Sequence, residues 1–342
     1  MKDRVSNQVR FVVSTALLGL FLSLAGPAPA ASPPAAPAWS RTPVRVDGVV
    51  SEFLWNSRYE VAAIGYIEPG AAQASLAMSR GGATFVLAKA RLDGIIGWST
   101  DGNILAYVIS TKDGKQLLCL YGPAGRTLDT NDIPERAVGK ARGGGWDPQG
   151  RLTLFTGDAL HIRQATGQWE DRPFPAGFSL LPGSSFTNAF WGGVGTQLLG
   201  VSKGRLAIWD LDDGQVGLGP KAAGVKAAGV NSRGNRVWTI SRGRPWRLNV
   251  YDVAWRSLGH RDRLAVPEAI PSGHGWRLYH LTRGRRAVIL WAWDMAGNKR
   301  TAIGTLPPEV GPTALRVSDD DRRLFVLTGE KGAVFETPVP PE

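Results

Sequence analysis

One short signature recurs along this chain and restricts the possible folds more than any other feature. A bulky residue is followed by a short polar turn, usually closed by glycine, and then by an apolar run. The clearest copy is Trp98-Ser-Thr-Asp101-Gly102, which leads into Asn-Ile-Leu-Ala-Tyr-Val-Ile. Trp146-Asp-Pro-Gln-Gly150, Trp191-Gly-Gly-Val-Gly195 and Val230-Asn-Ser-Arg-Gly234 introduce similar runs. Fainter copies start at Trp55, at His280 (His-Leu-Thr-Arg-Gly284) and at Val317 (Val-Ser-Asp-Asp-Asp321). The seven anchors are spaced by 43, 48, 45, 39, 50 and 37 residues. A four-stranded propeller blade takes roughly 40–45 residues.

The chemistry inside a repeat agrees with that period. Asp-Gly and Arg-Gly between apolar runs are hairpin signals, because glycine reaches positive φ without a steric cost. The flanking runs favour Val, Ile, Leu and aromatics, as strands do. After Gly195 the chain reads as strand, Lys-Gly turn, strand and Asp-rich turn, ending at Gly214. No long stretch after the leader has helical periodicity, and 43 glycines with 23 prolines imply many turns. The expectation is therefore an all-β chain, a β-propeller of seven four-stranded blades, with six or eight also compatible. Residues 41–342 would form this single domain.

The signature resembles the TolB-type, WD40-like β-propeller repeat, with Trp98 to Tyr107 as the best match. Trp209-Asp210 is similar to the Trp-Asp pair that ends a WD40 strand, and Tyr251-Asp252 is a looser copy. Trp293-Asp294 looks alike but lies too close to Gly284 to occupy the same strand. The resemblance implies an interaction platform in the bacterial envelope. The last repeat supplies three strands, Thr313–Val317, Arg323–Leu327 and Ala333–Thr337. The segment Thr42–Gly48 reads as an extra N-terminal strand that would complete the last blade and close the ring, removing exposed sheet edges.

Residues 1–30 read as a signal peptide. Lys2, Arg4 and Arg10 precede an apolar stretch from Phe11 to Ala25, and Ala28-Pro29-Ala30 is a small-residue cleavage site. The apolar stretch is short for a membrane span. An uncleaved anchor carrying a sensor ectodomain is the alternative. Residues 31–40 read as a Pro/Ala-rich linker. A periplasmic or extracellular location follows, with no integral membrane domain after cleavage. The single cysteine, Cys119, lies in an apolar strand and reads as a buried small hydrophobe.

The net charge is +11, and its distribution is uneven. Between Arg233 and Arg300 stand thirteen Arg and one Lys against Asp252, Asp262, Glu268 and Asp294, so this segment holds nearly the whole excess. Arg242, Arg244 and Arg247 form one cluster near turns; Arg283, Arg285 and Arg286 form another. Turns lie at the rims of a propeller, so these six are the candidate binding residues for an anionic partner, either an acidic protein or an envelope component. A solvated high-pI surface explains the same charges. Nucleic acid is not an expected partner, since the leader points out of the cytoplasm.

No catalytic set is legible. The chain lacks a Gly-x-Ser-x-Gly elbow. Its four histidines, His161, His260, His274 and His280, form no metal-binding pair. Asp210-Leu-Asp212-Asp213-Gly214 misses the calcium-loop spacing and reads as a hairpin turn. The anchor tryptophans Trp55, Trp98, Trp146 and Trp191 read as packing groups between blades. The sequence leads to an exported, non-enzymatic, monomeric binding propeller with no metal, no cofactor and no catalytic residue. A propeller enzyme of lactonase, lyase or quinoprotein type, with its site assembled in the central channel, is the alternative.

Overall fold

The computed structural model describes residues 39–340 except 43, 124–125, 133–142, 148, 182–190, 193–196, 231–235, 244–245, 273–275 and 308. These residues belong to the compact unit Ala36–Glu342. The expected signal peptide, most of the expected linker, Arg233, Arg244 and His274 lie outside them. Every regular element among the described residues is a strand, and no helix is long and apolar enough to cross a membrane.

The first strand, β1 (Ser40–Arg41), joins the far end of the chain. Next come β2 (Val49–Asn56), β3 (Val61–Ile67), β4 (Ala74–Arg80), β5 (Ala83–Trp98), β6 (Leu105–Ser110), β7 (Gln116–Gly122) and β8 (Arg126–Asp132), hydrogen-bonded in that order. A second sheet is β9 (Gly143–Trp146), β10 (Leu152–Phe155), β11 (Ala159–Arg163) and β12 (Trp169–Pro173). A third holds β13 (Phe178–Ser179), β14 (Trp191–Gly192), β15 (Gln197–Ser202), β16 (Arg205–Asp210) and β17 (Val216–Lys221), with β13 and β14 both on β15. A fourth runs β18 (Val225–Val230), β19 (Arg236–Ser241), β20 (Trp246–Asp252), β21 (Ser257–Pro271), β22 (Arg277–Arg283), β23 (Val288–Asp294) and β24 (Lys299–Leu306). The last is β25 (Pro312–Val317), β26 (Arg323–Thr328) and β27 (Val334–Pro338), with β1 on its outer edge.

Both seven-stranded paths are two four-stranded meanders that share one long strand. The first part of β5 pairs with β4 up to Leu92, and the part from Arg91 to Trp98 pairs with β6. In the same way β21 pairs with β20 from Ser257 to Leu264, then with β22 through Ala269–Pro271. Each of these strands is the fourth strand of one meander and the first of the next.

The signature falls where this plan needs a turn. Trp98, Trp146, Val230 and Val317 each end the first strand of a meander. Ser99 N–H donates to Ile104 O (2.7 Å), Asp147 N–H to Arg151 O (2.9 Å) and Ser318 N–H to Arg323 O (2.9 Å), closing the same turn each time. Side chains fasten it from inside. Ser99 Oγ–H donates to Asp101 Oδ1 and Ser318 Oγ–H to Asp320 Oδ1, both at 2.6 Å.

His280 does not hold the anchor slot expected of it. It sits in the middle of β22, the second strand of its meander, and the Arg283-Gly284 turn joins second to third strand. The equivalent closure is Ser272 N–H to Arg277 O (2.9 Å), so Pro271 is the anchor. The irregular spacings of 50 and 37 become 41 and 46. The same shift restores Trp293-Asp294. It ends β23, a third strand, just as Trp209-Asp210 ends β16 and Tyr251-Asp252 ends β20. Each Asp then accepts a backbone N–H from the following turn: Asp212, Arg256 and Ala296 donate at 3.0, 2.8 and 2.8 Å.

The N-terminal pairing is shorter and earlier than Thr42–Gly48. Ser40 and Arg41 pair with Glu336 and Phe335, and Thr42 N–H reaches Val334 O. Next comes Pro43, which has no N–H to extend a ladder. Just before this strand, Trp39 packs partly buried against the cluster of Val266, Leu306 and Leu315.

The core is divided into clusters that straddle neighbouring meanders. Val61, Leu76 and Met78 pack with Leu105, Tyr107 and Cys119. Phe155 and Leu160 pack with Leu198 and Trp209. Val50, Phe53 and Ile64 pack with Phe325, Leu327 and Val334, joining the first meander to the last. Three of the anchor tryptophans bridge these seams, and the Trp191 side chain lies outside the described residues. Trp98 Nε1–H donates to Leu54 O (3.4 Å), Trp146 Nε1–H donates to Gly97 O (3.0 Å), and the Trp55 ring lies 5.8 Å from Phe325. Cys119 is 4 % exposed, and burial raises its thiol pKa, which keeps it protonated and inert.

Candidate functional site

The second-to-third-strand turns of two successive meanders carry the expected arginines. Arg242 follows β19, Arg283 ends β22, and Arg285 and Arg286 follow it; all four are exposed. None of the four has a carboxylate partner among the described residues. Arg247 is different. It lies in β20 opposite Asp262 and is ion-paired to it, Nε to Oδ1, at 2.6 Å. This contact, first among several, holds the Asp262 carboxyl below its ordinary range.

Beside the Arg283 turn lies an open cleft of about 720 Å³. Its charged lining is Arg261, Arg263, Arg283 and Arg300, with Asp262 and His260. Four guanidiniums therefore face one carboxylate, and that carboxylate is already held by Arg247. No ion pair reaches Arg261, Arg263, Arg283 or Arg300 among the described residues.

Two tryptophans fix two of these arginines. The Arg261 guanidinium lies over the Trp291 ring at 4.6 Å, and the Arg300 guanidinium over Trp293 at 4.0 Å. Each ring is itself anchored: Trp291 Nε1–H donates to Thr282 Oγ1 (2.8 Å), Trp293 Nε1–H to Asn298 Oδ1 (3.0 Å). Stacking positions a guanidinium over an aromatic face without neutralising it. Arg300 shows the consequence. Burial and then the charge of Arg261 lower its pKa from the usual value, and its Nε–H is buried without a hydrogen-bond partner.

Strand β21 is shaped to present this edge. Its register against β20 skips Leu258 and Arg263, two bulges that bracket Gly259–Asp262. Arg263 sits in the left-handed region at φ 64°, uncommon for a side chain of that size. Gly259 has φ 148°, and a Cβ there would meet Arg300 Nη2 at 3.1 Å and Trp293 at 3.2 Å. The missing side chain makes room for the Arg300–Trp293 stack. Behind the cleft, His280 is fully buried, 6.4 Å from the Trp293 ring. Burial, aided by Arg261 and Arg300 and opposed by the Leu278 backbone, pushes its pKa down to about 3.

The remaining candidate chemistry is occupied by structure. The buried His161 has its Nδ1 2.7 Å from Asp171 Oδ1 across the β11–β12 hairpin. Asp210 and Asp213 accept turn N–H groups. Among the described residues no three His, Cys, Asp or Glu side chains are grouped to hold a metal. The sequence reading placed Arg283 at the site but did not single out Arg261, Arg263 and Arg300. The available signal was His260-Arg-Asp-Arg263 inside a strand, facing two tryptophans from another strand.

Neither a protein-family model nor a curated protein matches this sequence. Solved structures do. The RRP9 WD40 repeats are similar at TM-score 0.63 and 11 % identity, over 89 % of this chain and 99 % of that one. A chain of the Mitotic Checkpoint Complex gives 0.60 and 16 %, over 93 % and 99 %. The Cps50 (Swd1) β-propeller domain of Myceliophteria thermophila gives 0.58 and 12 %, over 89 % and 100 %. At these identities the likeness is one of fold, and the fold is a WD40-like β-propeller.

Proposed function

We propose that this chain is an exported seven-bladed propeller that binds an anionic protein or envelope component, without catalysis, through the basic turns of its fifth and sixth blades. Counting the shared strands β5 and β21 twice gives seven meanders, with β1 supplying the fourth strand of the last. Ring closure is supported by contacts between six of the seven pairs of neighbouring first strands, all but β9 with β14: β2 with β5, β5 with β9, β14 with β18, β18 with β21, β21 with β25, and β25 with β2. The TolB-like character rests on the Trp98–Gly102 signature, and export on residues 1–30.

One observation carries the binding role: the exposed Arg242, Arg283, Arg285 and Arg286, on equivalent turns of adjacent meanders, have no carboxylate partners among the described residues. Equivalent turns of successive blades lie on one face, so the charges add into one field there. The WD40-like neighbours include a chain of a mitotic checkpoint complex, which is in keeping with a scaffold role. The test is cross-linking and capture from the envelope fraction with the Arg283→Glu, Arg285→Glu, Arg286→Glu chain. Reversal of three charges abolishes capture if this face docks the partner. Capture at the unmodified level would refute the docking face.

A further inference from the structure

We propose that the cleft between β21 and the β22–β23 turn binds a small organic ligand bearing two phosphoryl groups, held by Arg261, Arg263, Arg283 and Arg300. The inference deepens the docking reading of the same blades, because Arg283 belongs to both surfaces.

Charge sets the ligand class. Each phosphoryl group carries about −1.5 to −2 at neutral pH and offers three acceptor oxygens. Two such groups balance four arginines, whereas a single carboxylate would leave most of the charge unmet. Geometry points the same way. Arg261 and Arg300 rest on Trp291 and Trp293, which are pinned by Thr282 and Asn298. A guanidinium stacked by its face keeps its in-plane N–H donors for bidentate bonds to phosphate oxygens. The one cleft carboxylate, Asp262, is turned to Arg247 by a 2.6 Å ion pair and so competes little with an incoming anion.

The backbone argues for a built site. A bulge and a left-handed residue are kept at Arg263, where a regular strand would be the less strained choice. Gly259 leaves the space in which Arg300 lies. The volume, about 720 Å³, is in the range of small-molecule sites and leaves room for an organic body between two phosphates.

The experiment is calorimetric titration of the full chain at low salt with a hexose bisphosphate, inorganic pyrophosphate, orthophosphate and sulfate. The bisphosphate is expected to bind at least tenfold more tightly than orthophosphate or sulfate. Arg261→Gln and Arg263→Gln should each weaken it about tenfold, the loss of one charge-assisted contact. Arg261→Lys, which keeps the charge but not the fork, should recover only part of the affinity. Arg322→Gln removes an exposed cation far along the chain and should change affinity less than twofold. Unchanged thermal melting of the cleft variants establishes that they fold.

Tighter binding of pyrophosphate than of the bisphosphate would assign the site to inorganic polyphosphate and overturn the organic ligand. Absence of saturable binding, or binding indifferent to Arg261 and Arg263, would overturn the site itself. The two readings fail separately. Capture that persists in an Arg285→Glu, Arg286→Glu chain sinks the docking face and leaves the cleft standing. A cleft that binds nothing, with capture lost in that chain, sinks the cleft alone.

Discussion

Arg316 and Arg300 show two uses of one side chain in the same molecule. Arg316, in β25, meets Glu268 at 2.7 Å, while Leu315 N–H holds the second oxygen of that carboxylate, also at 2.7 Å. Its charge further opposes the rise that burial imposes on the Glu52 carboxyl, which also accepts the Ile95 N–H. Arg300 has a tryptophan ring beneath it and, among the described residues, no acid. Arg316 links β25 to the neighbouring β21 and has little charge left to offer. Arg300 is equally well placed, but its charge is unspent. An arginine count treats the two alike, and only their partners separate a structural cation from a binding one.

The contrast is sharpest in stability. Glu268→Gln should cost about 2–3 kcal/mol in denaturant unfolding, somewhat less than the ~3–5 kcal/mol of a fully buried pair. The discount follows from side-chain exposures of 15 % and 22 %. Arg261→Gln should cost under about 1 kcal/mol, since it removes one half-exposed stacking contact. If the two losses came out equal, the distinction between the two settings would collapse.

Gly259→Ala comes next in size. The new Cβ would crowd Arg300 Nη2 and Trp293 at a φ that L side chains rarely adopt. A loss of about 1–2 kcal/mol is expected from strain and overpacking together, read as a fall in the denaturation midpoint. A neutral result would mean that the Arg300–Trp293 stack is loose and the cleft not preformed.

His280 gives a pH signature. Its folded pKa of about 3 lies below the unfolded value near 6.5, so between these limits the unfolded chain binds the proton and the folded chain does not. Stability therefore falls as pH drops below about 6.5, by at most about 1.4 kcal/mol per unit from this group. Unfolding curves of the natural chain and of His280→Leu at several pH values should diverge in slope over that window. Parallel slopes would mean that the imidazole is hydrated when folded.

Much of the fold was legible because its turns repeat. Trp98, Trp146 and Val317 precede polar turns that lead into strands, as the signature implies, and the last three strands fall within a residue or two of expectation. His280 was misplaced because Arg-Gly is a good hairpin signal at either kind of turn, and composition does not say which strands a hairpin joins. The true turn at Ser272 lacks the bulky–Asp–Gly form. The sequence places the N-terminal strand two residues late because Val44 and Val46 look like strand residues, while the β1 ladder stops at Thr42. The basic segment was legible as charge, but the cleft was not. It depends on two bulges in β21 and on ring partners about thirty residues downstream, and neither can be seen in local spacing.

Arg263→Gly has the smallest expected effect on stability and separates the two arginine settings most cleanly. At φ 64° the arginine carries left-handed strain of about 1 kcal/mol, which glycine relieves. Glycine also gives the unfolded chain more freedom, at a cost of roughly 0.5–1 kcal/mol. The two terms nearly cancel, so the melting midpoint should move by no more than a degree or two. The residue is exposed and has no carboxylate partner among the described residues, so no ion pair seen there is lost with it. If the residue is kept for its charge, anion affinity falls while stability stays constant. If Arg263 instead supports the bulge, stability falls with it, and the cleft edge is structural in the way that Arg316 is.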